Sequence, residues 1–543
     1  MYPDRKTSSL FKPVNDLTAK SCSSLTALES LQQHETNPLI PPLRPIADEF
    51  VVLLRYAVPI IGTHLLENTL MLVSMVWVGH LGTTELAAMS LANMTLNCSS
   101  LSVVVGFASA LEGLCSQAYT SEGDGPHMST LAAFRTTIIV AILVCLQSIL
   151  LWNILPIFCF LRVDPVLAVM AARALRLLLF ALPGYATFEI SRRWLQAQAI
   201  ISLPTAILLL ISPLNAILSY LFICGPKPFQ LGFMGAPMST VISFNLMGFS
   251  SLMYSLRLAI RQGKPGWIQN PRVVYTQLGP NFWDGLSGFA TLASEWWFWE
   301  FIGFASAHLG HSALAAHSIV VTITTELWAT GMGINNNMDT DGIEVLYQLS
   351  SGAGLGVAAR CGNLVGAGRT RRAVDASWAA LMAGVVFGSL TTLFILVFRY
   401  PLARLFSSQD EEVTALVGKV LPTVAMIQIP DSIRSTLAGV IRGAGEPKAS
   451  ALMNCVGYYI LGLPMGLFLS FSYPGLGLLG LWLGMLVAVG STTLTSCYYL
   501  FNKLIPSLMR HPEQHRLIIS NPPRHYQSLP EEIQGGYGTL TPL

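Results

Sequence analysis

The sequence predicts an all-α polytopic membrane protein: twelve transmembrane helices in two pseudo-symmetric six-helix lobes. Three observations carry this prediction. Charged residues are 11% of the 543 and hydrophobic ones 52%, whereas a soluble domain carries roughly 25% charged residues. Twelve apolar stretches are long enough to cross a bilayer. One motif returns at the same point of each half. The 31 basic and 29 acidic side chains are too few to coat a soluble protein of this size. A soluble enzyme, a nucleic-acid binder and a disordered scaffold are all poorly compatible with that shortage.

The apolar stretches lie near 51–78, 86–111, 131–155, 167–187, 199–224, 232–256, 287–307, 312–334, 376–398, 415–433, 450–472 and 476–500. Lipid cannot satisfy an exposed backbone, so each is expected to be helical. The alternation of barrel strands is absent. The opening residues MYPDRKTSSLFKPVND have no apolar core and do not read as a signal peptide, so the first hydrophobic stretch is expected to be a retained span. The nine cysteines are scattered and form no CxxC pair or disulfide framework.

Lys and Arg set orientation. With a cytoplasmic N-terminus, the even-to-odd loops hold Arg192, Arg193, Arg257, Arg261, Lys264, Arg272, Arg360, Arg369, Arg371, Arg372, Arg442 and Lys448. The opposite loops hold Arg162, Lys227, Arg399 and Arg404. That bias predicts both termini in the cytoplasm. The expected organisation is a disordered N-terminal tail (1–48), an N-lobe of spans one to six (49–256), a basic cytoplasmic linker (257–280), a C-lobe of spans seven to twelve (281–503) and a C-terminal tail (504–543).

The repeat supports two halves. His80-Leu81-Gly82 with Leu86-Ala87-Ala88 and Ser90 returns as His308-Leu309-Gly310 with Leu314-Ala315-Ala316 and Ser318, at an offset of 228 throughout. Gly232-Phe233-Met234-Gly235 returns as Gly477-Leu478-Leu479-Gly480 at an offset of 245. Each echo precedes the same-numbered span of its half, as in a parallel repeat about the membrane normal. The offset grows by 17, and the polar run Asn335–Glu344 falls inside the expected eighth span. Removing 335–349 joins Ile334 to Ser350 and restores one apolar helix. That segment reads as a local insertion, as translated intron sequence would be. The alternative is a broken helix lining a cavity.

Four segments now carry a family resemblance. They are Val78-Gly79-His80-Leu81-Gly82 with Glu85–Ala88, Ser109–Glu112 and Gln117-Ala118-Tyr119; Glu295-Trp296-Trp297-Phe298-Trp299-Glu300; Val357–Arg360 with Gly362–Gly368; and Gln428–Asp431 with Gly439–Gly445, Asn454, Tyr458-Tyr459, Gly462–Pro464 and Gly480–Trp482. Together they resemble the multidrug and toxic compound extrusion (MATE) transporters, in a eukaryotic, fungal-like branch. The resemblance implies two lobes facing each other in a V. It implies alternating-access efflux of small organic compounds, often cationic, driven by protons or sodium, with protons usual in eukaryotic members. It matches the family's seventh-helix glutamates to Glu295 and Glu300 and its tenth-helix acid to Asp431. The family pattern runs through the eighth span without a polar break, so 335–349 departs from it.

Ionisable groups at membrane depth are costly, by about 2.5–3.5 kcal/mol on insertion scales, and default to a functional reading. Glu67 falls in the middle of the first span, Glu112 closes the second, Glu326 falls in the eighth and Asp431 near the end of the tenth. Burial disfavours the charged form of a carboxylate, so it can take a proton and release it when a cation displaces it. Glu67, Glu295, Glu300 and Asp431 are therefore the proton- and substrate-coupling candidates. Glu295 and Glu300 lie about 500° apart in helical rotation, so their directions differ by about 140° and they cannot share one narrow face. Trp296, Trp297 and Trp299 offer aromatic faces to cations, although core or lipid-facing packing is the better account of at least one. Gln117 and Gln428 are candidates for polar cavity lining. His64, His308 and His317 show no metal-ligand spacing.

Gly362–Gly368 lacks the Lys-Ser/Thr and the preceding strand of a phosphate loop, so no ATP site is expected and an ion gradient must supply the energy. The small residues there suit close helix packing. No cofactor is expected beyond the coupling proton or sodium. The partners are small organic substrates and the lipid bilayer, not nucleic acid, and the chain is expected to act as a monomer in a plasma or vacuolar membrane. Sodium coupling is the nearest rival reading. A lipid-linked-precursor flippase of similar architecture would want a strongly cationic central cavity instead.

Overall fold

The computed structural model describes residues 43–121, 125–161, 163–262, 272–275, 278–325, 342–407, 411–472 and 475–510. Among these every regular element is helical. The long helices are α1 (Leu43–Gly79), α2 (Thr83–Thr120), α3 (Gly125–Trp152), α4 (Pro165–Ala197), α5 (Ser202–Cys224), α6 (Gly235–Arg261) and α7 (Leu278–His308). They continue with α8 (His311–Thr325), α9 (Gly342–Gly366), α10 (Thr370–Ser407), α11 (Glu411–Gly443), α12 (Pro447–Phe471) and α13 (Leu478–Arg510). Nine helices among the described residues are long and apolar enough to span a membrane. α6 and α7, of 27 and 31 residues, are long enough but more polar. With α8 and α9 sharing the place of the eighth span, the order agrees with the twelve stretches of the sequence.

Local chemistry sets the helix ends. Pro165 opens α4, and the Asp164 side chain accepts from the backbone N–H of Val166 and Leu167 at 2.9 and 3.2 Å. α9 and α11 end alike: Gly368 and Gly445 take positive φ, while Arg369 and Glu446 donate back to the carbonyls of Leu364 and Ile441. The Gly-rich motifs at 362–368 and 443–445 are thus helix caps as well as packing surfaces.

Several helices run past the ends that hydropathy suggested, because buried ion pairs prolong them. α4 reaches Ala197, so Arg192 and Arg193 are helix-interior residues, 2% and 3% exposed, and not loop anchors. α2 continues beyond Glu112 to Thr120, and α11 runs twelve residues beyond Asp431. Both acids are therefore inside helices and not at their ends. Residues 326–341, with Glu326 and most of the polar run, lie outside the described residues. α9 already begins at Gly342, so the last part of the 335–349 segment is helical. Its Glu, Leu and Gln content favours that state.

The core divides between the halves. One buried cluster runs from Leu70 to Met247, a second from Phe298 to Val489. The helices that open each half cross over. The start of α1 packs with α9–α11 through Ile46, Leu53 and Ala57, and the start of α7 packs on the N-terminal cluster through Leu278, Phe282 and Phe289.

This crossing is the same contact made twice. A Cβ on Gly106 would collide with the backbone of Phe289, and one on Gly352 would lie 2.6 Å from Ile61 Cγ1. Phe289 follows Ile61 by 228 residues and Gly352 follows Gly106 by 246. The pseudo-two-fold of the sequence is therefore present in packing, with the extra residues falling between 289 and 352.

Overpacking a close backbone approach costs about 1–3 kcal/mol. Gly106→Leu, which meets backbone, should lower the thermal melting point of the purified protein more than Gly352→Leu, whose nearest neighbour is the Ile61 side chain. Gly490→Leu, at a position with open space beside it, should leave it unchanged. An equal drop in all three would remove the crossing contact as the cause.

Candidate functional site

The acids separate into three groups by their partners. In the C-terminal half, Glu295 of α7 and Asp431 of α11 share one cation. Arg434 reaches Glu295 Oε1 at 3.0 Å and Asp431 Oδ1 at 2.7 Å through Nη2, and Asp431 again at 3.1 Å through Nε. Asp431 and Arg434 are three residues apart, so α11 puts them on one face. The guanidinium also lies 6.0 Å from the centre of the Tyr458 ring, which sits in a π turn of α12 (Val456–Gly462). Among the described residues Arg434 is the one cation bonded to either acid. The site therefore holds two carboxylates for one guanidinium.

A small cavity opens beside this triad, lined by Glu295, Asp431, Gln428, Trp299, Trp482 and Thr324. Trp299 stands edge-on to Trp482 at 5.5 Å. Its ring belongs to the C-terminal core as well as to the cavity wall.

Glu300 is separate from the triad, as its helical rotation requires. It accepts from Cys98 Sγ at 3.5 Å, across from α2. Cys98 sits in the π turn Asn97–Leu101, and its carbonyl accepts from Trp297 Nε1 at 3.3 Å. Trp297 is 43% exposed and Trp296 is half-buried.

The N-terminal half holds a ladder of alternating charge. Glu67 of α1 accepts from Arg192 Nη1 at 2.9 Å, with His64 Nδ1 3.8 Å away. Arg192 Nη2 lies 2.5 Å from Glu189 Oε1. Glu189, wholly buried, also binds Arg193. Arg193 Nε lies 3.4 Å from Glu112 Oε1, and Glu112 Oε2 accepts from Arg442 Nε at 2.9 Å. Three carboxylates meet three guanidiniums, so the ladder is neutral.

Sequence reasoning missed Arg434, Glu189 and the ladder role of Arg192 and Arg193. The usable signal was spacing: Asp431/Arg434, Glu189/Arg192 and Glu189/Arg193 are three or four apart, where helical side chains meet. Gln117 is not among the residues lining the cavity beside Arg434. It is buried against the end of α11 and donates to Gly443 O at 2.7 Å, because that glycine end leaves a carbonyl within its reach. Among the described residues no group of His, Cys, Asp and Glu could hold a metal.

Comparison with known proteins agrees with this architecture. A family profile described as MatE matches residues 59–221 and 342–468. An uncharacterized transporter of Schizosaccharomyces pombe is 30% identical over 501 residues, which cover 90% of this chain and 86% of the relative. Multidrug and toxin extrusion protein 1 of Danio rerio is 28% identical over 438 residues, 80% of this chain and 69% of the relative. Two solved structures share the fold: the eukaryotic MATE transporter AtDTX14, with TM-score 0.74 and 23% identity over 88% of this chain and 100% of that one, and the Vibrio cholerae MATE transporter VcmN in its bent form, with TM-score 0.69 and 20% identity over 87% and 99%. The chain belongs to the MATE family of transporters.

Proposed function

We propose that the chain is a proton-coupled antiporter that exports small organic compounds, often cationic, by alternating access. The observation that carries this is the charge count around Arg434: two part-buried carboxylates share one guanidinium. An uncompensated charge in apolar surroundings costs several kcal/mol, so such a site favours taking up one cation. A proton answers the surplus in one state and an organic cation in the other, which makes exchange obligatory. The neutral ladder around Glu67 gives no such reason to bind a proton. Glu295 and Asp431 are the coupling pair in this reading, and Glu67 is a structural partner. Glu300 and Trp297, part-exposed between the halves, serve as substrate contacts, with Trp299 and Gln428 shaping the cavity.

The rest of the assignment follows the same logic. Both termini face the cytoplasm in a plasma or vacuolar membrane, the chain works as a monomer, and no ATP is used. The 335–349 segment is a local insertion in this reading, although the second family match begins at 342, inside it. An anionic site at mid-depth argues against a flippase for pyrophosphate-linked lipids.

Inverted vesicles with an imposed pH gradient should accumulate a fluorescent organic cation. Glu295→Gln and Asp431→Asn should reduce that uptake to background while the protein stays in the membrane. Uptake indifferent to a proton ionophore but abolished without sodium would overturn the coupling ion.

Arg434 gives a second expectation. Removing one partner of a buried ion pair costs about 3–5 kcal/mol. Arg434→Gln should therefore lower the melting point sharply, and adding Glu295→Gln should recover part of the loss by removing one of the stranded charges. A double variant as unstable as the single would show that the carboxylates do not depend on this guanidinium.

A further inference from the structure

The N-terminal ladder plays no part in the exchange step proposed above, yet it ends on the opposite half of the molecule. Glu112 belongs to α2 and Arg442 to the last turn of α11, 330 residues away. Around this pair the two halves meet closely. Gln117 donates to Gly443 O at 2.7 Å and Thr120 to Asn363 O at 2.9 Å. Ser116 faces Gly362 so tightly that a Cβ on the glycine would stand 2.7 Å from Ser116 Cβ. A second ion pair between α1 and α9 lies on the same seam, with Arg360 bonded to both oxygens of Glu49 at 3.0 and 2.8 Å.

The partners of Glu112 are arranged unequally. Its Oε2 bonds Arg442, from the other half, while its Oε1 lies 3.4 Å from Arg193 of its own half. Glu112 is 3% exposed and Arg442 15%. If the halves part here, Glu112 keeps Arg193, and Arg193 and Arg192 keep Glu189 and Glu67. The N-terminal half then holds three carboxylates and two guanidiniums, and the surplus lies beside Arg193 instead of on a carboxylate with no cation near it. Arg442, at a helix end and already part-exposed, takes water. A buried pair is ordinarily expensive to break because one charge is stranded. Here Glu112 keeps a cation 3.4 Å away and Arg442 reaches water, which lowers that cost.

We infer that Glu112–Arg442 is a releasable latch between the two halves, with Arg193 the cation that stays beside Glu112 when it opens. Glu112 and Arg442 are then positioning residues that set how often the seam opens, and they touch neither proton nor substrate. The inference rests on the alternating-access reading only in supposing that the seam opens during transport.

The test reads the seam directly, without substrate or ion gradient, so it can fail while the coupling assignment stands, and the reverse. Ser116→Cys places a thiol on the seam where no side-chain hydrogen bond is lost. Its labelling by a membrane-impermeant maleimide, over the baseline of the chain's own cysteines, reports opening. Arg442→Gln in this background should raise the labelling rate about fivefold or more, the scale of a modest coupling energy. Arg442→Lys, which keeps the charge, should stay close to the parent. Glu112→Gln should also raise labelling, and the Glu112→Gln/Arg442→Gln double variant should exceed neither single. Unchanged labelling in Arg442→Gln, or equal labelling in Arg442→Lys and Arg442→Gln, would overturn the latch. So would failure of both glutamine variants to accumulate beside a normal Arg442→Lys, since the pair would then be a folding element.

Discussion

A charge inside the membrane must be answered by another charge or by a proton, and the rest of this structure is arranged around that constraint. Leaving an ion bare in an apolar interior costs several kcal/mol, more than most single interactions contribute. The protein answers its buried charges in two ways. Around Glu112 and Glu189 every carboxylate meets a guanidinium, and the count closes. Around Arg434 it does not close, because Glu295 and Asp431 divide one cation between them. A closed set holds helices together. An open set leaves a carboxylate charge for a further cation to answer, as the proposed exchange requires.

The repeat explains how both kinds of site fit one scaffold. The Gly106–Phe289 and Gly352–Ile61 contacts are equivalent under the duplication and hold the halves together along one seam. The ion pairs are not duplicated with them. Among the described residues the two-for-one set around Arg434 lies in the C-terminal half, on α7 and α11. The N-terminal half instead uses its charges to tie α1, α2 and α4 together and to reach across to Arg442. Duplication supplied the frame, and divergence of a few ionisable residues gave the halves different work.

Much of this was legible in the sequence, and the omissions have physical causes. Apolar runs of bilayer length placed the spans, and the returning His-Leu-Gly motif placed the two-fold. Glu295, Glu300, Asp431 and Glu67 stood out because acids are rare at that depth. Arg192 and Arg193 were misplaced because a hydropathy window ends a span where charges begin, although a helix continues when its charges are paired. Asp431 and Glu112 looked terminal for the same reason. Bonds such as Glu295–Arg434 and Glu112–Arg442 join residues 139 and 330 apart in the chain. No local pattern in a single sequence announces such a pair, whereas Asp431/Arg434 and Glu189/Arg193 were within reach of a spacing argument.

The imbalance at Arg434 is the central claim, and counting protons tests it most directly. Calorimetric titration of the purified protein with an organic cation, in two buffers of different ionisation enthalpy and without sodium, gives the number of protons released per cation bound. The account predicts about one proton, since binding exchanges one unit of positive charge at the triad for another, and none from Asp431→Asn. It predicts that Glu67→Gln, in the neutral ladder, leaves the count unchanged. Binding without proton release, or release that survives Asp431→Asn but disappears in Glu67→Gln, would contradict it.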